Sequence, residues 1–343
     1  MRIEYHVNLI MTLSTMAAYL KLIRYQNLIF IAFIQFVMRQ VVLVPILQTY
    51  GFDATMETDM LLLLMMATVL IAAGGYVLND YFDIKIDSIN RPDKQIVGQV
   101  LSRHTAMVLH QILTGLGVIC GLLLAFFARS FTLAFIFVVI PGLLWFYSAS
   151  YKRQFLLGNL VIAFVSAITI LVVGIAQLAF LQKEYGSLLY ETPIPAHFYG
   201  WIGGFALFSF LCTLIREVIK DMEDEKGDRE MECHTLPIVW GMYKTKVFLY
   251  CIIALTVVLL FLANNYLVHF EGTLTLRYII FGLVLPFGAL CYLIYTSRRQ
   301  ADFHQASNLS KVIMLLGVLY SFIFYYLQAK AFGISLFNIF ILK

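Results

Sequence analysis

Nine long apolar runs separated by short polar stretches set the pattern of this chain, at about 25–47, 60–82, 104–127, 131–148, 158–181, 198–220, 245–263, 275–296 and 311–330. A helix that crosses a bilayer needs about 20 mostly apolar residues, so the pattern predicts an all-α, polytopic membrane helical bundle of nine spans. An odd number of spans puts the two ends of the chain on opposite sides. The longest polar connections, around 83–103 and 217–244, leave no room for a soluble domain, and residues 1–343 read as a single membrane unit. The first run follows Lys21 and Arg24 with no small-residue cleavage site behind it, which marks a first span rather than a removable leader. The final stretch, AFGISLFNIFILK, is too short to cross again and is expected in the interface.

Composition agrees: of 343 residues, 61% are hydrophobic and 13% charged, with a mean hydropathy of +0.85, against roughly a quarter charged in a soluble domain. This is an integral membrane protein, and a net charge of +4 gives no reason to expect nucleic acid as a partner. With the N-terminus inside, eighteen of the 24 Lys and Arg fall on inner connections, while outer segments such as QTYGFDATMETD are acidic or nearly uncharged. The positive-inside rule then places both long charged loops in the cytoplasm, in the cell (inner) membrane. Five scattered cysteines without a CxxC pair suggest neither a disulfide framework nor a zinc site. Arg39, deep in the first span, is expected either to line an interior cavity or to snorkel outward. Gly115, Gly117 and Gly121 are expected to let the third span pack closely against a neighbour.

The candidate chemistry sits where the second span meets its loop, in NDYFDIKID. At 100° per residue, Asp80, Asp83 and Asp87 fall within an arc of about 60° on one helix face, with Asn79 at its edge. Asp221, Asp224 and Asp228 repeat the spacing in KDMEDEKGD, each 141 residues later, and Glu217 extends that face by a turn. Carboxylates crowded at a membrane edge repel one another and lose hydration, so a cation is expected to hold them. An oxygen-rich, histidine-free donor set selects Mg²⁺ rather than zinc, and Mg²⁺ is commonly completed by substrate phosphate oxygens. A prenyl diphosphate bridging the two acidic faces is the expected occupant. Bases stand nearby to neutralise it: Arg91 and Lys94 after the first triad, Lys152 and Arg153 after the fourth span, Arg24 with Asn27 at the first, and Lys220 beside the second triad. Tyr76, Tyr81, Tyr147 and Tyr151 lie near the same end, where their faces suit an electron-poor prenyl carbon.

These residues carry a family likeness. NDYFDIKID matches the signature NDxxDxxxD residue for residue, and the chain resembles the UbiA superfamily of intramembrane prenyltransferases. DMEDEKGD, RPDK, YSASYKRQFLLGN and TLPI are also similar to that family, and the likeness extends over all nine spans. The resemblance implies a helical bundle around a central cavity, with Mg²⁺-dependent transfer of a prenyl group from its diphosphate to a lipid or aromatic acceptor. The family commonly continues RPxRP where this chain has RPDKQ, so the path of that loop is open. REVIKDMEDEKGD is most like the branch that makes ether lipids by adding a second geranylgeranyl chain to geranylgeranylglyceryl phosphate. Quinone and haem precursors are the alternative acceptors. Ion or metal transport is the rival from another class; it is disfavoured because the acids lie at the ends of spans rather than at the midplane.

Overall fold

The computed structural model describes residues 16–53, 55–90, 92, 95–336 and 340–341. Among these, nine helices are long and apolar enough to cross a membrane: α1 (Tyr25–Thr49), α2 (Thr58–Phe82), α4 (Arg103–Phe127), α5 (Phe131–Ala149), α6 (Leu157–Glu191, with a 3₁₀ last turn), α7 (Ile194–Glu223), α9 (Leu236–Tyr266), α10 (Leu274–Thr296) and α11 (Gln300–Phe332). Two short helices, α3 (Ile84–Asn90) and α8 (Glu225–Glu230), follow the second and sixth spans. The apolar runs locate all nine spans, but α9 and α11 begin about ten residues earlier than their runs. Hydrophobicity marks only the part of a helix that meets lipid, whereas the hydrogen-bond ladder continues into the polar layer. Asp302 caps the start of α11, accepting from the amides of Arg298 and Arg299. After Gly333 the chain closes a two-residue antiparallel ladder between β1 (Ser335–Leu336) and β2 (Phe340–Ile341).

Proline explains two irregular spans. α1 widens to a π-turn at Met38–Leu43 before Pro45, and α10 does so at Ile279–Val284 before Pro286. A proline ring crowds the carbonyl four residues back and has no amide to bond it, and the wider turn relieves both. Close approach joins α2 to α4: a Cβ on Gly117 would lie 2.9 Å from Ile71 N and 3.0 Å from Ala67 O. Gly121 packs against Phe137, but Gly115 faces open space and plays no part in the packing expected of it.

Buried side chains divide the bundle along its length. One large cluster fills the half distant from the acidic motifs, with contributions from α1, α2, α4, α5, α6, α7 and α11. A second, centred on α7, α9, α10 and α11, fills one side of the motif half. A third, smaller cluster of Leu22, Val77, Val97, Leu101 and Ala106 packs beside the first motif, and a cavity opens between these clusters. Exposed tyrosines ring both ends, Tyr243, Tyr292 and Tyr295 at the motif end and Tyr190, Tyr199 and Tyr266 at the other, as expected of residues at a membrane–water boundary.

Candidate active site

The two acidic runs fold alike. α2 ends at Phe82, Asp83 caps it with φ −88° and ψ 0°, and α3 starts at once. α7 ends at Glu223, Asp224 caps it with φ −96° and ψ 7°, and α8 follows. In each, the capping aspartate's amide donates to the carbonyl four residues back (Asn79, 3.0 Å; Lys220, 2.8 Å), and the last aspartate's amide donates to the cap's own carbonyl (2.8 and 3.1 Å). The expected single helix face is therefore replaced by a helix, a break and a second helix. Electrostatics supplies a reason. Carboxylates at the end of a long helix oppose its dipole, and the break moves Asp87 and Asp228 into the first turn of a new helix, where the dipole favours them.

Each motif is held by side chains from distant parts of the chain. Arg24 donates to Asp80 at 2.8 Å and lies over the Tyr76 ring, 4.9 Å from its centroid. Asp83, 4% exposed, accepts from the Lys152 ammonium and from Asn79 Nδ2 at 2.7 Å. Asn159 donates to Asp221 at 2.8 Å. Lys152 and Asn159 flank a single connection between α5 and α6, so that loop reaches both motifs. Glu217 is neutralised by Arg216 (2.7 Å) and Lys220 (3.0 Å). Burial works against the Lys152 charge, but Asp83 outweighs it and holds the ammonium above its ordinary range. Burial pushes the Asp228 carboxyl up to about 6, against the pull of Lys152.

A direct bridge ties the motifs together. Asn90, the last residue of α3, donates to the Asp224 carbonyl (3.2 Å) and accepts from the Gly227 amide (2.9 Å). A Cβ on Gly227 would lie 2.5 Å from that amide group, so a side chain here would displace the Asn90 amide from its two partners. In the loop that follows, Gln95 donates to the carbonyls of Ile84 (3.1 Å) and Val97 (3.3 Å), tethers that a proline at this position would lack.

All six motif aspartates line one cavity of about 1230 Å³, together with Asn27, Asn79, Arg24, Tyr147, Lys152, Arg153 and Lys220. Tyr76 lines it too, whereas Tyr81 packs against Phe82 and Tyr151 stacks on Phe146; neither of the last two is part of the wall. Arg91 and Lys94 lie outside the described residues. Arg39 lies away from the cavity and reaches toward the connection after α1, the direction of its second expected place, but it stays buried at 6% exposed, its guanidinium donating to the Met56 carbonyl. Asn90, Asn159 and Lys311 were not singled out by sequence; an isolated amide or lysine at a span end has no motif, and only its partners mark it.

No three acidic, histidine or cysteine side chains converge among the described residues as a ready metal cage. The donor set still fits Mg²⁺. It is all oxygen, comes from two facing helix breaks, and opens on a cavity with room for phosphate oxygens, and Mg²⁺ is usually bound through one or two carboxylates with substrate completing the shell.

Residues 42–312 match the family model described as the UbiA prenyltransferase family. The chain belongs to that family. Relatives of this UbiA prenyltransferase include the digeranylgeranylglyceryl phosphate synthase of Sulfurisphaera tokodaii, 34% identical over 66% of this chain and 74% of that one. The synthase of the same description from Methanosphaera stadtmanae is 28% identical over 72% of this chain and 82% of its own. Among solved structures, one of digeranylgeranylglyceryl phosphate synthase in membranes superposes with a TM-score of 0.61 at 23% identity, covering 90% of this chain and 99% of that one. A UbiA homologue from Archaeoglobus fulgidus bound to GPP and Mg²⁺ gives 0.54 at 13% identity, covering 89% and 99%. At these identities the structural likeness establishes the shared fold. The protein is thus an integral membrane prenyltransferase with the UbiA helical bundle.

Proposed function

We propose that this prenyltransferase moves a geranylgeranyl group from its diphosphate to the free hydroxyl of geranylgeranylglyceryl phosphate, making a two-chain ether lipid precursor. The observation that carries the reading is the pair of acidic helix breaks of matching geometry, facing one cavity and backed by Lys152 and Arg24. The relatives bearing the synthase description supply the acceptor. The reading treats residues 1–343 as one membrane unit in the cell membrane, with its N-terminus and motif loops in the cytoplasm, on the strength of the positive-inside count.

Asn79, Asp80, Asp83 and Asp87 on one side, and Asp221, Asp224 and Asp228 on the other, would hold Mg²⁺, which when bound offsets the negative charge of a departing diphosphate. Lys152, with three donors on a flexible stem, can serve Asp83 and a diphosphate oxygen together. Arg24, Arg153 and the loop bases Arg91 and Lys94 take up the charge that remains, and Asn27 offers an amide beside Arg24. Ile34, Ile71, Phe137 and Ile140 form an apolar wall that keeps water from the prenyl chain. Tyr147 lines the same cavity and would offer an aromatic surface to the reacting end. The allylic C1–O bond breaks with its electron pair passing to the diphosphate. The acceptor oxygen forms the new bond to C1, and its proton passes to the released diphosphate.

The test is reconstituted protein given Mg²⁺, geranylgeranyl diphosphate and a panel of acceptors, with products resolved by mass. The expected product is geranylgeranylglyceryl phosphate carrying one added geranylgeranyl group, and EDTA should abolish it. Prenylation of 4-hydroxybenzoate or a naphthoate, with no turnover of the glyceryl phosphate, would overturn the acceptor while leaving a prenyltransferase.

A further inference from the structure

Among the described residues, seven acidic and seven basic side chains line the cavity, and the bases do not share the acids evenly. Lys152 and Arg24 each meet a carboxylate of the first motif. On the wall formed by α7, Arg216 and Lys220 both turn to Glu217, so two cations share one negative charge. Lys311, on α11, lines the same cavity and makes no ion pair among the described residues; its polar contact is Asn308 Oδ1, 3.4 Å away on its own helix. The positive fields of Arg216, Lys220 and Arg24 reach it, and Glu223, an acid whose field also does, is engaged by His304 at 2.9 Å.

Arg216 and Lys220, partly buried and sharing Glu217, thus line one corner of the cavity with Lys311, which is exposed. Like charges gathered there repel and lose hydration, an arrangement that a multiply charged anion would relieve. The positive-inside rule accounts for bases at this level, but not for their facing a cavity when long side chains could snorkel to the headgroups.

Position narrows the choice of anion. Lys220 immediately precedes Asp221, and Glu217 lies one turn before it, so the corner adjoins the second motif, whereas Lys152 pairs with Asp83 of the first. Deeper along the cavity, Ser209 and Thr213 of α7 join Ser166 of α6 in a chain of hydroxyls at 2.7 and 3.0 Å. A molecule with an anionic head, a few oxygen atoms and a long apolar tail matches that order of cations, hydroxyls and hydrocarbon.

We propose that Arg216, Lys220 and Lys311 form a subsite for the phosphate monoester headgroup of the lipid acceptor, separate from the diphosphate subsite built on Lys152 and Arg24. The inference rests on the acceptor reading above. An acceptor held here by its phosphate presents its hydroxyl to the prenyl carbon across a three-carbon glycerol, a short reach that suits a site beside Asp221.

The experiment measures initial rates of full-length enzyme in vesicles with Mg²⁺, varying acceptor and donor separately, for wild type, Lys311→Gln and Lys311→Arg. Lys311→Gln should raise the acceptor KM at least about tenfold and leave the donor KM within about twofold, the scale of one lost charge-assisted contact. Lys311→Arg should recover most of the loss. Wild type should prefer the phosphorylated acceptor over its dephosphorylated alcohol, and Lys311→Gln should lose most of that preference. Glycerol 1-phosphate should compete with the acceptor more strongly than inorganic phosphate does; equal competition would mark a free-phosphate site and overturn the headgroup assignment. An unchanged acceptor KM in Lys311→Gln, with normal wild-type turnover, overturns the subsite and spares the acceptor reading. Equal rises in both KM values place Lys311 with the diphosphate and overturn it as well. Wild type that ignores the glyceryl phosphate and uses an aromatic acceptor overturns both. Lys220→Gln, read in the same way, decides the matter if Lys311→Gln does not fold.

Discussion

Asp83 is nearly sealed from solvent, and the Lys152 ammonium and the Asn79 amide both bear on its carboxylate. Asp83→Asn keeps its size and removes its charge. Turnover should fall at least about 100-fold, the loss typical of removing one well-placed charge-stabilising group, and the protein should still elute as a folded species because the Lys152 side chain, 31% exposed, keeps contact with water. Near-normal turnover at low Mg²⁺ would remove Asp83 from the metal site. Asn159 orients Asp221 from 62 positions away. Asn159→Ala should weaken Mg²⁺ dependence about 10- to 100-fold, as loss of a ligand's orienting partner does, with the maximal rate recovered at high Mg²⁺. A lowered maximal rate with unchanged Mg²⁺ dependence would count against an orienting role. The aspartates were legible because their spacing repeats. Asn159 was not, since an amide at the start of a span is common and its partner comes from another helix.

Spacing that suggests one helix face instead builds two helices about a capping aspartate, and the same construction occurs twice. The sequence showed the repeat and left the break hidden, because three-then-four spacing is compatible with an unbroken helix and ψ near 0° at one residue leaves no mark on composition. What joins the two constructions is the Asn90 contact to Asp224 and Gly227. Asn90→Ala should lower stability by roughly 1–2 kcal/mol, about 1 kcal/mol for each hydrogen bond lost. Gly227→Ala should also lower it, by pushing the Asn90 amide off both partners. In the double variant the clash is gone, so its thermal midpoint should lie above the sum of the two single effects. Strict additivity would mean that these helices do not press on each other. Gln95 shows the same limit: its departure from the family's proline is visible in sequence, but the carbonyls it serves are fixed only by the folded loop.

For the whole molecule, the proposed orientation predicts that cysteines at Ser88 or Glu230 react with impermeant reagent from the cytoplasmic side, and that Mg²⁺ with a diphosphate ligand slows them. Reaction from the outside only would reverse the topology. Nine spans were readable because bilayer thickness fixes the length of an apolar run, and the proposed orientation rests on the cost of carrying charge across. The acidic motifs were readable because buried carboxylates are too costly to repeat by accident. Those properties belong to a residue and its near neighbours along the chain. The pairing of Arg24 with Asp80, Lys152 with Asp83 and Asn159 with Asp221, the exclusion of Arg39 and Tyr81 from the cavity, and the meeting of Lys311 with α7 belong to the way whole helices pack. Close contacts such as Gly117 against Ile71 set that packing, and because lipid solvates every apolar face equally well, hydrophobicity along the chain cannot decide which faces meet.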